Sequence, residues 1–162
     1  MDETQSKATF VALSQALTGI PGSLLAPSLD PTKILDTVYN AFVTNADPCA
    51  AQLILESFQA LKSKGLSDDE IATAIIADPA TGPLAASITK LWLLGNWYPP
   101  SGSATPTVVS SNAYIEGWVW KIMQAHPMGY SILEYGYWAE PPPPLSAILP
   151  PSGETVPQSS RS

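Results

Sequence analysis

The sequence has 162 residues, which suits a single domain, and 45% of them are hydrophobic, which is ample for a core. Only 13% are charged and the net charge is −7, so the basic surface that nucleic-acid binding requires is excluded and attachment to an anionic membrane is disfavoured. No apolar run approaches the roughly 18–20 residues of a membrane span, and we therefore expect no direct membrane span.

The chain begins with a predicted helix over residues 6–18, which ends at Gly19. Residues 20–29 contain two prolines and a glycine, and this composition predicts a loop. Asp30-Pro31 then predicts the start of a second helix, because an Asp side chain caps the first backbone N–H groups and proline loses no hydrogen bond there.

Two further start signals follow in the middle of the chain. Asp47-Pro48 repeats the Asp-Pro pattern and predicts a third helix that ends at Gly65. Ser67 and Glu70 have the spacing of a capping box, in which the two side chains satisfy each other's backbone donors. The helix that follows is predicted to bury the apolar residues Ile71, Ala72, Ile75 and Ile76.

The later part of the chain alternates between helix and irregular structure. A fifth helix is predicted over residues 83–94, a long loop over 97–111, and a sixth helix over 112–124 with Tyr114, Trp118 and Ile122 on one stripe. The fold prediction is all-α: a compact array of about six helices over residues 1–140, with an irregular aromatic-rich segment. Residues 141–162 are rich in proline and are predicted to form an extended tail.

The sequence contains none of the short motifs that hold a nucleotide, a haem or a metal. Asp68, Asp69 and Glu70 are better explained by the helix cap than by a cation site. His126 is interpreted either as a general base or partner contact, or as a residue that caps a helix or packs in the core. Cys49 is expected to be a small buried hydrophobic residue. We therefore predict no catalytic, cofactor-binding or metal site in this chain.

Aromatic residues are concentrated in one stretch of the sequence. Ten of the eleven Trp and Tyr residues lie between Trp92 and Trp138, where Glu116, Lys121 and Glu134 are the only carboxylates and lysines. Core positions are favoured for Trp92 and Trp118, which lie on predicted helices. For the aromatics in irregular backbone, a core position, a protein interface and a stacking platform for a sugar are all considered. The predicted partner interface consists of Trp97, Tyr98, His126, Tyr130, Tyr135, Tyr137 and Trp138.

Five sequence elements in order carry a resemblance to a known bacterial family. They are residues Phe10–Gly19, Leu91–Trp97, Ser110–Trp120, His126–Tyr130 and Tyr135–Ala139. Together they resemble the small subunit of membrane-bound FAD-dependent sugar and polyol dehydrogenases, which include sorbitol, fructose and glucose dehydrogenases. The resemblance covers roughly residues 8–143.

The resemblance implies a non-catalytic role. In that family the large subunit holds FAD and oxidises the sugar, and a multihaem cytochrome c subunit passes the electrons onward. The small subunit carries no cofactor; it supports folding of the large subunit in a chaperone-like way and supplies a twin-arginine signal for their joint export. The chain is thus expected in the periplasm as part of a membrane-associated complex.

The sequence departs from the family pattern in its export signal. Its only arginine is Arg161 and its first residues, Met1-Asp2-Glu3-Thr4, are not hydrophobic. Removal of a signal is the first explanation, and a cytoplasmic location is the alternative. Two other functions are retained from the residues alone: a free-standing module that binds a sugar or another small ligand, and an enzyme that uses His126 as a base.

Overall fold

The computed structural model describes residues 2–102, 105–129 and 144–149. Its secondary structure is almost entirely helical, which confirms the predicted all-α class. The longer helices are α1 (Glu3–Thr18), α3 (Ile34–Asn45), α4 (Pro48–Ser63), α5 (Asp68–Ala77) and α6 (Gly82–Leu94). The short elements are α2 (Gly22–Leu25), β1 (Asn96–Trp97), β2 (Thr107–Val108), α7 (Ser111–Glu116), α8 (Trp118–Ile122) and α9 (Leu145–Ile148).

Side-chain caps start the middle helices as the sequence predicts. The carboxylate of Asp47 accepts from the backbone N–H of Ala50 at 3.0 Å, with Pro48 in the first turn of α4. The capping box is present, with the Glu70 carboxylate accepting from the backbone N–H of Ser67 at 2.8 Å. These starts are set by local chemistry, which is why the sequence alone identifies them.

Helix α3 begins three residues later than the Asp30-Pro31 signal predicts. Asp30 does act as a cap, but its two carboxylate oxygens accept from Ile34 and Leu35, at 3.0 and 3.2 Å. Lys33 takes a left-handed conformation with φ 51°, so the chain turns before the helix starts. The predicted cap is therefore confirmed, whereas the predicted first residue of the helix is wrong.

The core is organised around α1, which packs against α2, α4, α5 and α6. Phe10 and Leu13 have no exposed surface, and the ring of Phe10 stacks on that of Phe42 with 4.8 Å between centroids. The indole N–H of Trp92 donates to the hydroxyl of Ser14 at 2.8 Å, so this buried polar pair is mutually satisfied. Helix α1 is consequently fixed by partners that come much later in the sequence.

The predicted loop over 97–111 includes part of a small antiparallel ribbon. Asn96 pairs with Val108 and Trp97 pairs with Thr107. Helix α6 ends at Gly95, which has a left-handed φ of 68° and leads directly into β1. The ribbon therefore returns the chain to the end of α6, where the last helices pack.

The predicted sixth helix is divided into α7 and α8 at Gly117. A Cβ atom at Gly117 would lie 2.9 Å from the carbonyl oxygen of Leu93, and one at Gly95 would lie 2.1 Å from that of Ala113. The two glycines thus allow the backbones of α6 and α7 to approach closely. This tertiary contact explains why the helical pattern of 112–124 is interrupted.

Three smaller predictions are wrong. Residues 20–29 include the short helix α2, Cys49 is exposed, and Ile76 is 58% exposed. Within the predicted proline-rich tail, residues 145–148 form the single turn α9, and Leu149 packs against the core. The rest of the tail lies outside the described residues.

Candidate partner interface

The predicted interface residues fall into three groups in the structure. Trp97 is only 2% exposed and belongs to the core, so its assignment to the interface surface is corrected. Tyr98 is half-buried, with the ammonium of Lys90 at 5.3 Å from its ring centroid. His126 is exposed, and its Nδ1 lies 3.2 Å from the carbonyl oxygen of Pro127. The other predicted interface residues, Tyr130, Tyr135, Tyr137 and Trp138, lie outside the described residues.

Trp97 is buried because β1 follows α6 without a linker and turns its side chain inward. It is among the largest side chains that are almost completely buried, and β1 packs against both α3 and α6. The predicted core positions of Trp92 and Trp118 are confirmed, with exposures of 3% and 6%. Three tryptophans of the aromatic stretch thus stabilise the chain itself.

A groove of about 180 Å³ opens above the two core tryptophans. One wall comes from the segment that connects α2 to α3, including Leu29 and Asp30, and the other comes from α7 and α8. Trp92 and Trp118 also line the groove, where two prolines stiffen the connecting segment. The break at Gly117 sets the direction of α8, and thereby places Lys121 over the groove.

The charged side chains that line this groove all have partners within the chain. The ammonium of Lys121 lies 3.4 Å from a carboxylate oxygen of Glu116 and 4.5 Å from the ring centroid of Trp118. Burial opposes ionisation of Asp30, but donation by Ile34, Leu35 and Thr32 lowers the pKa of its carboxyl below the ordinary value. The groove therefore has an aromatic floor, one ion pair and a hydrogen-bonded carboxylate.

Large apolar side chains are exposed on the rim of the groove and in the segment that follows Lys121. Leu29 is 84% exposed on its rim, and Ile122 and Met123, which directly follow Lys121, are 40% and 64% exposed. Met128, shortly after α8, is 77% exposed. We call these four residues the α8 surface.

Sequence reasoning did not identify the α8 surface. The predicted apolar stripe of a continuous sixth helix includes Ile122, but Ile122 is the last residue of α8 and is 40% exposed. Leu29 lies in a segment that carries no helical period, so no pattern distinguished it from a core residue. The low charge of the sequence between Trp92 and Trp138 indicates this region of the chain, but it does not specify which side chains are exposed.

The structure also limits other kinds of site. Within residues 2–102, 105–129 and 144–149, no group of three or more His, Cys, Asp or Glu side chains is arranged to hold a metal ion. No helix in the same ranges is long and apolar enough to cross a membrane. Comparisons of the chain with protein-family models, curated proteins and solved structures give no match.

Proposed function

We propose that this chain is the non-catalytic small subunit of a heteromeric FAD-dependent sugar or polyol dehydrogenase. The observation that carries the proposal is the combination of low charge and exposed apolar side chains in residues 91–129. This stretch has one carboxylate and one lysine, Glu116 and Lys121, which are paired with each other. The same stretch exposes the large apolar side chains of Ile122, Met123 and Met128, and exposed apolar surface is one mark of an interaction site.

The sequence resemblance supplies the identity of the partner. Three of its five elements, Phe10–Gly19, Leu91–Trp97 and Ser110–Trp120, contribute residues to the core, and the last two of these also border the groove. The partner is then a large subunit that holds FAD and oxidises the sugar. Through the complex, this subunit would pass electrons to a multihaem cytochrome c in the periplasm.

In this proposal the small subunit acts on the folding and stability of its partner. A protein that binds the native large subunit and not its unfolded chain stabilises it by mass action. This stabilisation is greatest when the small subunit is folded before binding, because less conformational entropy is then lost when the complex forms. The extensively buried core around α1 is consistent with such a preformed partner.

Co-expression with the FAD-bearing large subunit of such a dehydrogenase tests the proposal. The measurement is dye-linked sugar oxidation by the large subunit with and without this chain, together with co-purification through a tag on this chain. We expect co-purification, and activity that depends on the presence of this chain. Equal activity in its absence, without co-purification, would contradict the proposal.

A second candidate function is suggested by the groove beneath Lys121. Its Trp118 ring and its polar groups from Glu116 and Asp30 are of the types that hold a sugar. The groove is smaller than the roughly 300–1,000 Å³ typical of ligand pockets. The ammonium of Lys121 also lies over the face of the Trp118 ring, where a sugar would stack. Isothermal titration with common sugars separates the candidates, because the subunit is expected to give no heat and a sugar-binding module would give saturable heat.

A further inference from the structure

We infer that a second groove, which runs beside α1, binds a small amphipathic amine with a protonated amino group at one end and a short apolar body. We call it the α1 groove. Its volume is about 680 Å³, which lies within the roughly 300–1,000 Å³ of small-molecule sites. None of its lining residues belongs to the stretch 91–129 that carries the proposed function, and the inference does not depend on that function.

Four apolar side chains line the body of the α1 groove. Ala8 and Val11 are three positions apart on one face of α1, Ala26 directly follows α2, and Leu35 lies in the first turn of α3. Val11 and Leu35 also pack against the hydrophobic core, which holds these two walls in place. This part of the groove therefore suits a hydrocarbon body, because covering its apolar surface is favourable.

The polar lining of the α1 groove, which comes from the first turns of α1, carries an excess of negative charge. The ammonium of Lys7 lies 2.8 Å from a carboxylate oxygen of Asp36, 3.6 Å from one of Glu3 and 5.3 Å from the ring centroid of Tyr39. Hydrogen bonding to Asp36 raises the pKa of Lys7 above its ordinary value of 10.5, against the effect of burial. Two carboxylates thus share one cation, and Glu3, whose side chain is 76% exposed, is the more distant of the two.

These charges favour an amine over an acid as the ligand. A protonated amine would form a charge-assisted hydrogen bond with the Glu3 carboxylate. The Thr4 hydroxyl lines the same groove and makes no hydrogen bond within the described residues, so it can accept a second N–H of the ligand. An anion gains little here, because Asp2 and Glu3 already place two carboxylates at the positive end of the α1 dipole.

NMR titration of the full chain with hexylamine tests the inference, with hexanol and hexanoate as ligands of equal chain length. We expect saturable shifts of the backbone amides of Ala8, Val11 and Leu35, and binding of hexylamine at least about fivefold tighter than that of hexanoate. Glu3→Gln should remove most of this preference. Glu56→Gln is the matched control, since Glu56 is an exposed glutamate on α4 that does not line the groove.

Intermolecular NOEs locate the ligand without any substitution. We expect NOEs from the methylene protons of hexylamine to the methyl groups of Val11 and Leu35. Absence of saturable binding, absence of these NOEs, or equal affinities for hexylamine and hexanoate overturns the inference. Tighter binding of Nα-acetyl-lysinamide than of hexylamine also overturns it, because the groove would then suit a lysine side chain of a partner protein. None of these outcomes bears on the proposed function, which co-purification tests separately.

Discussion

At the scale of single residues, Trp97 shows how burial decides a role. Its side chain is 2% exposed and packs between α3 and α6, so its replacement should act on stability. We expect Trp97→Ala to lower the free energy of unfolding by about 3–5 kcal/mol, the range for large aromatic residues in cores. Tyr98→Ala, at the half-buried next position, should cost clearly less. Urea denaturation of the two variants makes the comparison, and similar losses would contradict the placement.

The sequence could identify Trp97 as a residue of importance but not as a core residue. Its neighbours Gly95 and Pro99 suggest irregular backbone, where an aromatic ring is as compatible with a surface as with a core. Its burial depends on pairing with Thr107, ten positions further along the chain. Strand β1 has two residues, which is too short for a local sequence pattern to predict that pairing. For the capping residues Asp47 and Ser67, by contrast, the partner is three residues away and the prediction was correct.

At the scale of elements, the approach of α6 and α7 can be tested with a pair of glycines. Gly95 and Gly19 end their helices with φ 68° and 70°, so alanine adds similar backbone strain at both. A Cβ at Gly95 would also meet the carbonyl oxygen of Ala113 at 2.1 Å, whereas nothing lies within 4 Å of one at Gly19.

We therefore expect Gly19→Ala to cost about 1–2 kcal/mol and Gly95→Ala to cost several kcal/mol more. Chemical denaturation of both variants measures the difference. Equal losses would indicate that α7 is free to move away from α6 and that the close contact is unimportant.

How well each element could be predicted depends on how far along the sequence its determining residues lie. Helices α4 and α5 start where their caps predict, because the determinants are within one turn. The continuous stripe of Tyr114, Trp118 and Ile122 predicted one helix, and Gly117 divided it because its backbone approaches Leu93. The stripe also failed to predict that Ile122, the last residue of α8, is exposed.

For the whole molecule, acid should destabilise the fold through carboxylates that are bound in the native state. Hydrogen bonding to Lys62, reinforced by Gln15, lowers the pKa of Asp68 below its ordinary value of 3.8, against the effect of burial. A depressed native pKa contributes stability above the unfolded-state pKa, and this stability is lost as the pH falls through the native pKa.

The free energy of unfolding should therefore decrease as the pH falls from about 5 toward 3, and Asp30 adds to the effect in the same direction. Asp68→Asn removes one titrating group, so its stability should fall less steeply over that interval than that of the wild-type chain. Thermal melts at a series of pH values measure the two slopes. Identical slopes would contradict the assigned role of Asp68.

The bond between Trp92 and Ser14 joins residues that are 78 positions apart, and it has a consequence during protein synthesis. At about 5–20 residues per second, the ribosome adds the later partner roughly 4–16 s after the earlier one. Throughout this interval Phe10 and Leu13 lack the cover that α6 provides, and a nascent chain in that condition is a substrate for chaperones. The first helix to be made is thus among the last to be enclosed.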